Sequence, residues 1–193
     1  YDSCIFGIAC KGRLSSITDS SGQTLYLYDA RGNIVAAIQA TGGTNYTVTN
    51  SYNLAGKRKS VTYPSGRIVN YTLDALGRVS GITTRLNAGS ALQPVVSGVN
   101  YKPFGPVTSF TYGNNLQQTM DYDLDYRVSN IKTSVGGNDV HSASYDYDGV
   151  NNITAIIDGI DPLDDQTFDY DELNRLSSAI GSYGILGYTY DGV

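Results

Sequence analysis

Short stretches of alternating apolar and polar residues recur along the chain, and turn-forming residues separate them. Tyr145 and Tyr147 stand two residues apart, so their rings would lie on one face of a strand. After the next turn-forming residues, apolar side chains alternate with serine and threonine, as in residues 175–180. Each unit therefore has the pattern strand, turn, strand, and the sequence predicts an all-β fold of consecutive antiparallel hairpins laid side by side.

The units repeat with a spacing of 20 to 28 residues between one hydrophobic residue, here called the anchor, and the next. The anchors are Tyr28, Tyr52, Leu73, Tyr101, Tyr122, Tyr147, Tyr170 and Tyr190. Self-similarity with such a period is typical of repeat proteins, in which each unit packs against its neighbours. The sequence thus predicts one repeat array over residues 1–193, of about eight repeats, with the first and last incomplete.

The residues after each anchor have the chemistry of a tight turn. An aspartate follows the anchor in several units, where its carboxylate can accept hydrogen bonds from backbone amides. These aspartates are Asp29, Asp74, Asp148, Asp171 and Asp191. Four residues after the anchor stands a glycine or asparagine in most units, and both tolerate the left-handed backbone of a hairpin turn. The glycines at this position are Gly32, Gly56, Gly77 and Gly105.

Two departures from the repeat predict local irregularity. Tyr126 occupies the position of the turn glycine, so its hairpin is expected to be distorted. Residues 88–94 lengthen the unit that follows Leu73, so a loop is expected to protrude there.

The repeated pattern Tyr-x-Tyr-Asp-x-x-Gly-Arg-Leu/Val resembles the RHS/YD repeat over essentially the whole chain. That family includes bacterial RHS proteins, carriers of toxin complexes, wall-associated toxins and the teneurins. The resemblance implies a curled or spiral sheet that forms part of a hollow shell around a toxin or other cargo. It also implies a secreted or cell-surface bacterial protein, whose partners are neighbouring repeats of a longer chain or copies of itself.

The length limits what this chain could enclose alone. About sixteen strands at about 4.8 Å each give a sheet contour of about 77 Å, or a ring about 25 Å across. A folded cargo of about 100 residues is more than about 30 Å wide. We therefore expect a shell or scaffold segment that encapsulates, displays or assembles end to end. The alternative is an extracellular module that binds glycan or protein through exposed tyrosines.

Composition and charge limit the classes of partner that the chain could bind. The net charge is −5, which disfavours binding to nucleic acid and to anionic membrane surfaces, and the basic residues recur singly, as at Arg31 and Arg78. No apolar run approaches the roughly 20 residues needed to cross a bilayer, so membrane insertion is not expected. The chain begins at Tyr1 without an initiator methionine, which favours a processed or excised fragment.

Enzymatic chemistry has little support in the sequence. His141 could form a triad with Asp139 and either Ser142 or Ser144, but no nucleophile elbow accompanies it, so we expect an ordinary surface loop and no enzyme. No cofactor motif is present.

Two groups of residues could in principle form a disulfide or a metal site. Cys4 and Cys10 could form a disulfide or remain two free thiols, and they cannot complete a zinc site of their own. Asp121, Asp123 and Asp125 resemble the start of a calcium loop, but the later positions of that loop do not match. The turn chemistry explains these aspartates without metal, and residues 158–165 are expected to form a solvated loop.

Overall fold

Sixteen strands account for most of the chain in the computed structural model, which describes residues 11–192. The strands are β1 (Ser16–Asp19), β2 (Gly22–Tyr28), β3 (Ile34–Thr41), β4 (Thr44–Tyr52), β5 (Arg58–Thr62), β6 (Ile68–Leu73), β7 (Val79–Arg85), β8 (Gln93–Tyr101), β9 (Val107–Tyr112), β10 (Gln117–Tyr122), β11 (Val128–Val135), β12 (Asn138–Tyr147), β13 (Ile153–Asp158), β14 (Gln166–Tyr170), β15 (Leu176–Gly181) and β16 (Gly184–Gly187).

The chain divides into two units, residues 1–97 and residues 98–193. Within each unit the strands follow one another in sequence order, and the registered pairs are antiparallel. The prediction of an all-β array of tandem antiparallel hairpins is confirmed.

Each hairpin that contains a Tyr-Asp turn has a bulge immediately before its anchor. In the β2–β3 hairpin, Leu27 lies opposite Ala36, and the register then shifts so that Tyr28 lies opposite Ile34. The same shift precedes five other anchors, namely Tyr52, Leu73, Tyr122, Tyr147 and Tyr170. The extra residue lies in the second strand of the hairpin, Val35 in the first case, so this bulge is separate from the turn, which is closed by Asp29 and Asn33.

Few side chains are deeply buried. The buried hydrophobic residues among those described are Tyr28, Ala36, Val61, Ala143 and Ala179, and none of their side chains falls below 2% exposure. Most side chains of the described residues are therefore at least partly exposed to solvent.

Two loops interrupt the regular repeat. The predicted protruding loop is exposed as far as Leu92 except at Ser90, which is half-buried, but Gln93 and Pro94 belong to β8, where Pro94 lies opposite Thr83. The acidic segment after β13 is ordered by its own side chains and contains a short 3₁₀-helix, Pro162–Asp164. Asp158 begins this loop by accepting hydrogen bonds from two following amides.

In residues 11–192 no helix has the length and apolar character required to cross a membrane.

Candidate functional site: the tyrosine-aspartate turns

The aspartate after the anchor closes the turn by accepting hydrogen bonds from backbone amides. Oδ1 of Asp29 accepts from the amides of Arg31 and Asn33, each at 2.9 Å. The amide of Asp29 donates to the Asn33 carbonyl, and the amide of Gly32 donates to the Asp29 carbonyl, both at 3.0 Å. The same two side-chain bonds recur, at 2.8 to 2.9 Å, in the turns of Asp74, Asp123, Asp148 and Asp171.

The second carboxylate oxygen binds the side chain four residues later. Nε of Arg78 lies 2.8 Å from Oδ2 of Asp74, and Nε of Arg175 lies 2.7 Å from Oδ2 of Asp171. The backbone amides of these arginines, and then their guanidinium groups, hold the pKa of Asp74 and of Asp171 below the ordinary value. The turns that contain this aspartate are thus closed units built around an ionised carboxylate.

The fourth residue after the anchor is left-handed in most turns, including one where neither glycine nor asparagine stands at this position. Gly77 has a φ of 76°, and Asn151 and Asn174 have φ values of 75° and 58°. Tyr126 also adopts this conformation, with a φ of 62°, and its amide donates to the Asp123 carbonyl at 3.2 Å. The expected distortion at Tyr126 is therefore wrong, because the bonds made by Asp123 hold the usual turn despite the side chain.

Gly105 departs from its expected role. Its φ does not lie in the left-handed region, although its amide still closes the turn by donating to the Lys102 carbonyl at 3.2 Å. A β-carbon at this position would lie 2.5 Å from a ring carbon of Tyr126. Glycine here allows the Tyr126 ring of the following repeat to approach the backbone.

The anchor tyrosines join each repeat to the one before it. The hydroxyl of Tyr147 donates to the Val128 carbonyl at 2.8 Å, and the hydroxyl of Tyr170 donates to the Ile153 carbonyl at 2.9 Å. In both cases the acceptor lies six residues after the preceding anchor. The corresponding bonds of Tyr28, Tyr52, Tyr122 and Tyr190 are 2.7 to 2.9 Å long.

A cation from the preceding repeat also lies over several anchor rings. The guanidinium of Arg127 is 4.6 Å from the centre of the Tyr147 ring, and that of Arg175 is 4.3 Å from the Tyr190 ring. Arg127 in addition donates to Oδ1 of Asn151 in the next turn at 2.8 Å. Consecutive turns are therefore connected through their side chains as well as through the β-ladder.

Some anchor positions differ in chemistry from this pattern. Leu73 has no hydroxyl, and it lines a cavity of about 250 Å³ together with Arg58, Tyr71 and Gly77. Tyr101 ends β8 and is followed by Lys102 instead of aspartate. In the turn of Gly56, Asn53 replaces the aspartate and accepts from the amides of residues 55 and 57. Asp191 follows the last strand and is exposed.

The turn tips carry exposed apolar side chains, which the sequence reading did not single out. Phe104 and Leu124 are each 99% exposed. An exposed apolar residue also occupies the other turns at Leu54, Leu76, Val150 and Leu173. The signal in the sequence was an apolar residue two or three positions after each anchor.

Charge is divided unequally between the two units. Residues 1–97 contain nine lysines and arginines against four aspartates, a net charge of +5. Residues 98–193 contain four basic residues against fourteen acidic ones, a net charge of −10. The interpretation that basic residues recur singly is wrong for the first unit, where Lys57, Arg58 and Lys59 are consecutive and exposed. The net charge of the whole chain had concealed this asymmetry.

The remaining chemical candidates are placed apart from the turns. His141 lies in β12 and is exposed, so it belongs to a strand and not to the expected loop. In residues 11–192, no three acidic, histidine or cysteine side chains come together to hold a metal ion. Cys4 and Cys10 lie outside the described residues.

Comparisons with known proteins point in one direction. The family described as RHS Repeat matches residues 11–44 and 52–89. The search of curated proteins found no match.

Solved structures of toxin complexes share the fold. The crystal structure of TcdB2-TccC3 matches with a TM-score of 0.83 and 19% sequence identity. The match covers 88% of this chain and 10% of the chain in that structure. The crystal structure of TcdB2-TccC3-Cdc42 gives a TM-score of 0.82 at the same identity and coverage. The Photorhabdus luminescens Tc holotoxin pore gives 0.79, with 19% identity and 88% coverage of this chain. The present chain spans about a tenth of the length of the protein chains in these structures.

The family-model matches over residues 11–44 and 52–89, together with the shared hairpin fold, confirm the sequence-based recognition of RHS/YD repeats in this chain.

Proposed function

We propose that this chain is a structural shell or scaffold segment of a larger bacterial RHS/YD-repeat protein and has no enzymatic role. The observation that carries the proposal is the contact between repeats. An anchor such as Tyr147 satisfies its hydroxyl on the carbonyl of Val128 in the preceding repeat. A unit that needs its neighbour in this way is suited to building a continuous wall.

The large exposed surface supports the same role. The turn tips present apolar side chains such as Phe104 and Leu124 to solvent, and the sheet buries few residues. In a longer array this surface would pack against further repeats or against an enclosed cargo. The role proposed for the parent protein is to encapsulate or display a toxin, outside the cell or at its surface.

The size of the segment requires additional repeats or additional copies. Sixteen strands at about 4.8 Å per strand would close a ring only about 25 Å across. A cargo of about 100 residues is wider than that. The segment would therefore enclose cargo as part of a longer sheet, or copies of it would join end to end through strand edges.

Electron microscopy of the complete reading frame that encodes this segment tests the proposal. A hollow particle whose wall contains the segment is the expected result, and a compact particle without a cavity would overturn it. For end-to-end assembly, sedimentation velocity of the 193-residue chain should show species that grow with concentration. A monomer at every concentration would exclude that mode.

The alternative function is recognition of glycan or protein through tyrosines. The anchor tyrosines are occupied by bonds within the sheet, but Tyr46, Tyr63 and Tyr183 are 50%, 42% and 48% exposed. Binding on a glycan array that disappears in Tyr46→Ala or Tyr63→Ala would favour recognition. Binding that persists in both variants would remove the tyrosine basis of this alternative.

A further inference from the structure

A cavity of about 480 Å³ lies beside the lengthened loop between β7 and β8 in the first unit. Two arginines, Arg67 and Arg85, line it together with the apolar residues Leu86 and Ala91. Arg67 is exposed and Arg85 is half-buried. We call this cavity the Arg67/Arg85 pocket.

The pocket has positive charge that no acidic side chain neutralises. Between residues 30 and 97 the sequence has one acidic residue, Asp74, and its carboxylate is held by Arg78 at 2.8 Å. In the described part of the chain, neither Arg67 nor Arg85 takes part in an ion pair. Two cations in a partly apolar cavity are favourable for an anion, because the low local dielectric strengthens their attraction.

Hydrogen bonds tether both arginines while leaving donors available. Nη1 of Arg67 donates to Oγ1 of Thr84 at 3.2 Å, and Nη1 of Arg85 donates to the Ala88 carbonyl at 3.0 Å. Nε of Arg85 is buried and has no hydrogen-bond partner among the described residues. Each guanidinium carries five N–H donors, so the Nη groups of both arginines retain donors that a bound carboxylate could accept from.

We infer that the Arg67/Arg85 pocket binds an acidic peptide segment through a glutamate or aspartate side chain. The guanidinium groups would bind the carboxylate, and the apolar side chains of Leu86 and Ala91 would contact the methylene groups of the ligand. A peptide fits better than a nucleic acid, since the pocket offers no aromatic ring on which a base could stack. This assignment does not depend on the shell function.

Calorimetric titration of the 193-residue chain with a capped peptide of four glutamates tests the inference. A capped peptide of four glutamines is the neutral control, and the titration is made at low ionic strength, where charge interactions are least screened. Arg67→Gln and Arg85→Gln should each weaken binding of the acidic peptide about tenfold or more. Lys59→Gln removes an equal charge from the same unit outside the pocket, so it should change the affinity less than about twofold.

Thermal unfolding of each variant is measured first, because Arg67 also holds Thr84. Arg67→Lys provides a second variant that keeps the charge but loses the planar donor pair, and it should also bind the peptide more weakly. Equal losses in Lys59→Gln and Arg67→Gln would overturn the inference in favour of diffuse attraction. Binding of the glutamine peptide with equal affinity would overturn it too, as would inorganic phosphate competing as strongly as the acidic peptide.

Discussion

Removing the hydroxyl of Tyr147 tests whether the anchor tyrosines join successive repeats. In Tyr147→Phe the ring stays and only the oxygen that donates to the Val128 carbonyl at 2.8 Å is lost. The bond has the length of a normal O–H···O hydrogen bond, and both residues are half-buried. The variant therefore isolates the hydrogen bond between repeats from the packing of the ring.

The expected cost follows from the burial of that bond. A hydrogen bond of this kind contributes about 1 kcal/mol net, and up to about 3 kcal/mol if the Val128 carbonyl is left without a partner. For a chain of this length, a loss of about 1 kcal/mol lowers the melting temperature by about 2–4 °C. Because repeat arrays are stabilised mainly between neighbours, amide exchange should accelerate most in β11 and β12.

Urea unfolding and amide hydrogen exchange measure the two effects, and Tyr183→Phe is the matched control. Tyr183 belongs to the same unit, is 48% exposed, and its hydroxyl makes no hydrogen bond within the described residues. We expect Tyr147→Phe to lower the urea midpoint with an unchanged slope, whereas Tyr183→Phe leaves the midpoint unchanged. Equal midpoints for the two variants would refute the role of the anchor hydroxyl.

Three further changes test other parts of the turns. Leu73→Tyr should stabilise the chain by about 1 kcal/mol, because it supplies the missing anchor hydroxyl. Leu73→Phe is the control, since it fills the cavity without adding a hydroxyl. Equal urea midpoints for these two variants would contradict the prediction. Gly105→Ala should lower the free energy of unfolding by about 1–3 kcal/mol, because its methyl group would meet the Tyr126 ring. This loss should largely disappear in the Tyr126→Gly background. An equal loss in both backgrounds of a double-mutant cycle would argue against the contact. The lowered pKa of Asp171, caused first by the amide of Arg175, predicts acid lability. Because the folded-state pKa lies below that of the unfolded chain, its stabilisation is complete above about pH 4 and is lost as the pH falls through the folded-state pKa. Melting temperatures between about pH 7 and pH 3 should show a smaller acid decrease in Asp171→Asn, and curves that remain parallel would count against the assignment.

The hairpins could be predicted from sequence because their signals are local. Alternation with a period of two defines the strands, and the residues between an anchor and the following turn asparagine or glycine define the loop. Asp29 illustrates this locality, since all its partners lie within four residues. The fold and the chemistry of an individual turn are thus recorded in stretches of about ten residues.

Contacts between repeats could not be predicted in the same way. The approach of Tyr126 to Gly105 joins residues 21 positions apart, and it gives that glycine a steric role instead of a conformational one. Likewise, the acceptor of the Tyr147 hydroxyl lies 19 residues earlier. The residue types at these positions are compatible with several registers, so the partner becomes known only when the sheet is assembled.

The division of charge between the two units is not visible in the net charge of the whole chain. A net charge of −5 describes the far field, but at 0.15 M ionic strength charges separated by more than about 8 Å are largely screened. A ligand close to Arg67 therefore responds to the charged groups within about that distance more than to the net charge of the whole chain. It follows that anion binding to this chain should weaken with salt even though the whole protein is acidic, and that charge in repeat proteins is best counted repeat by repeat.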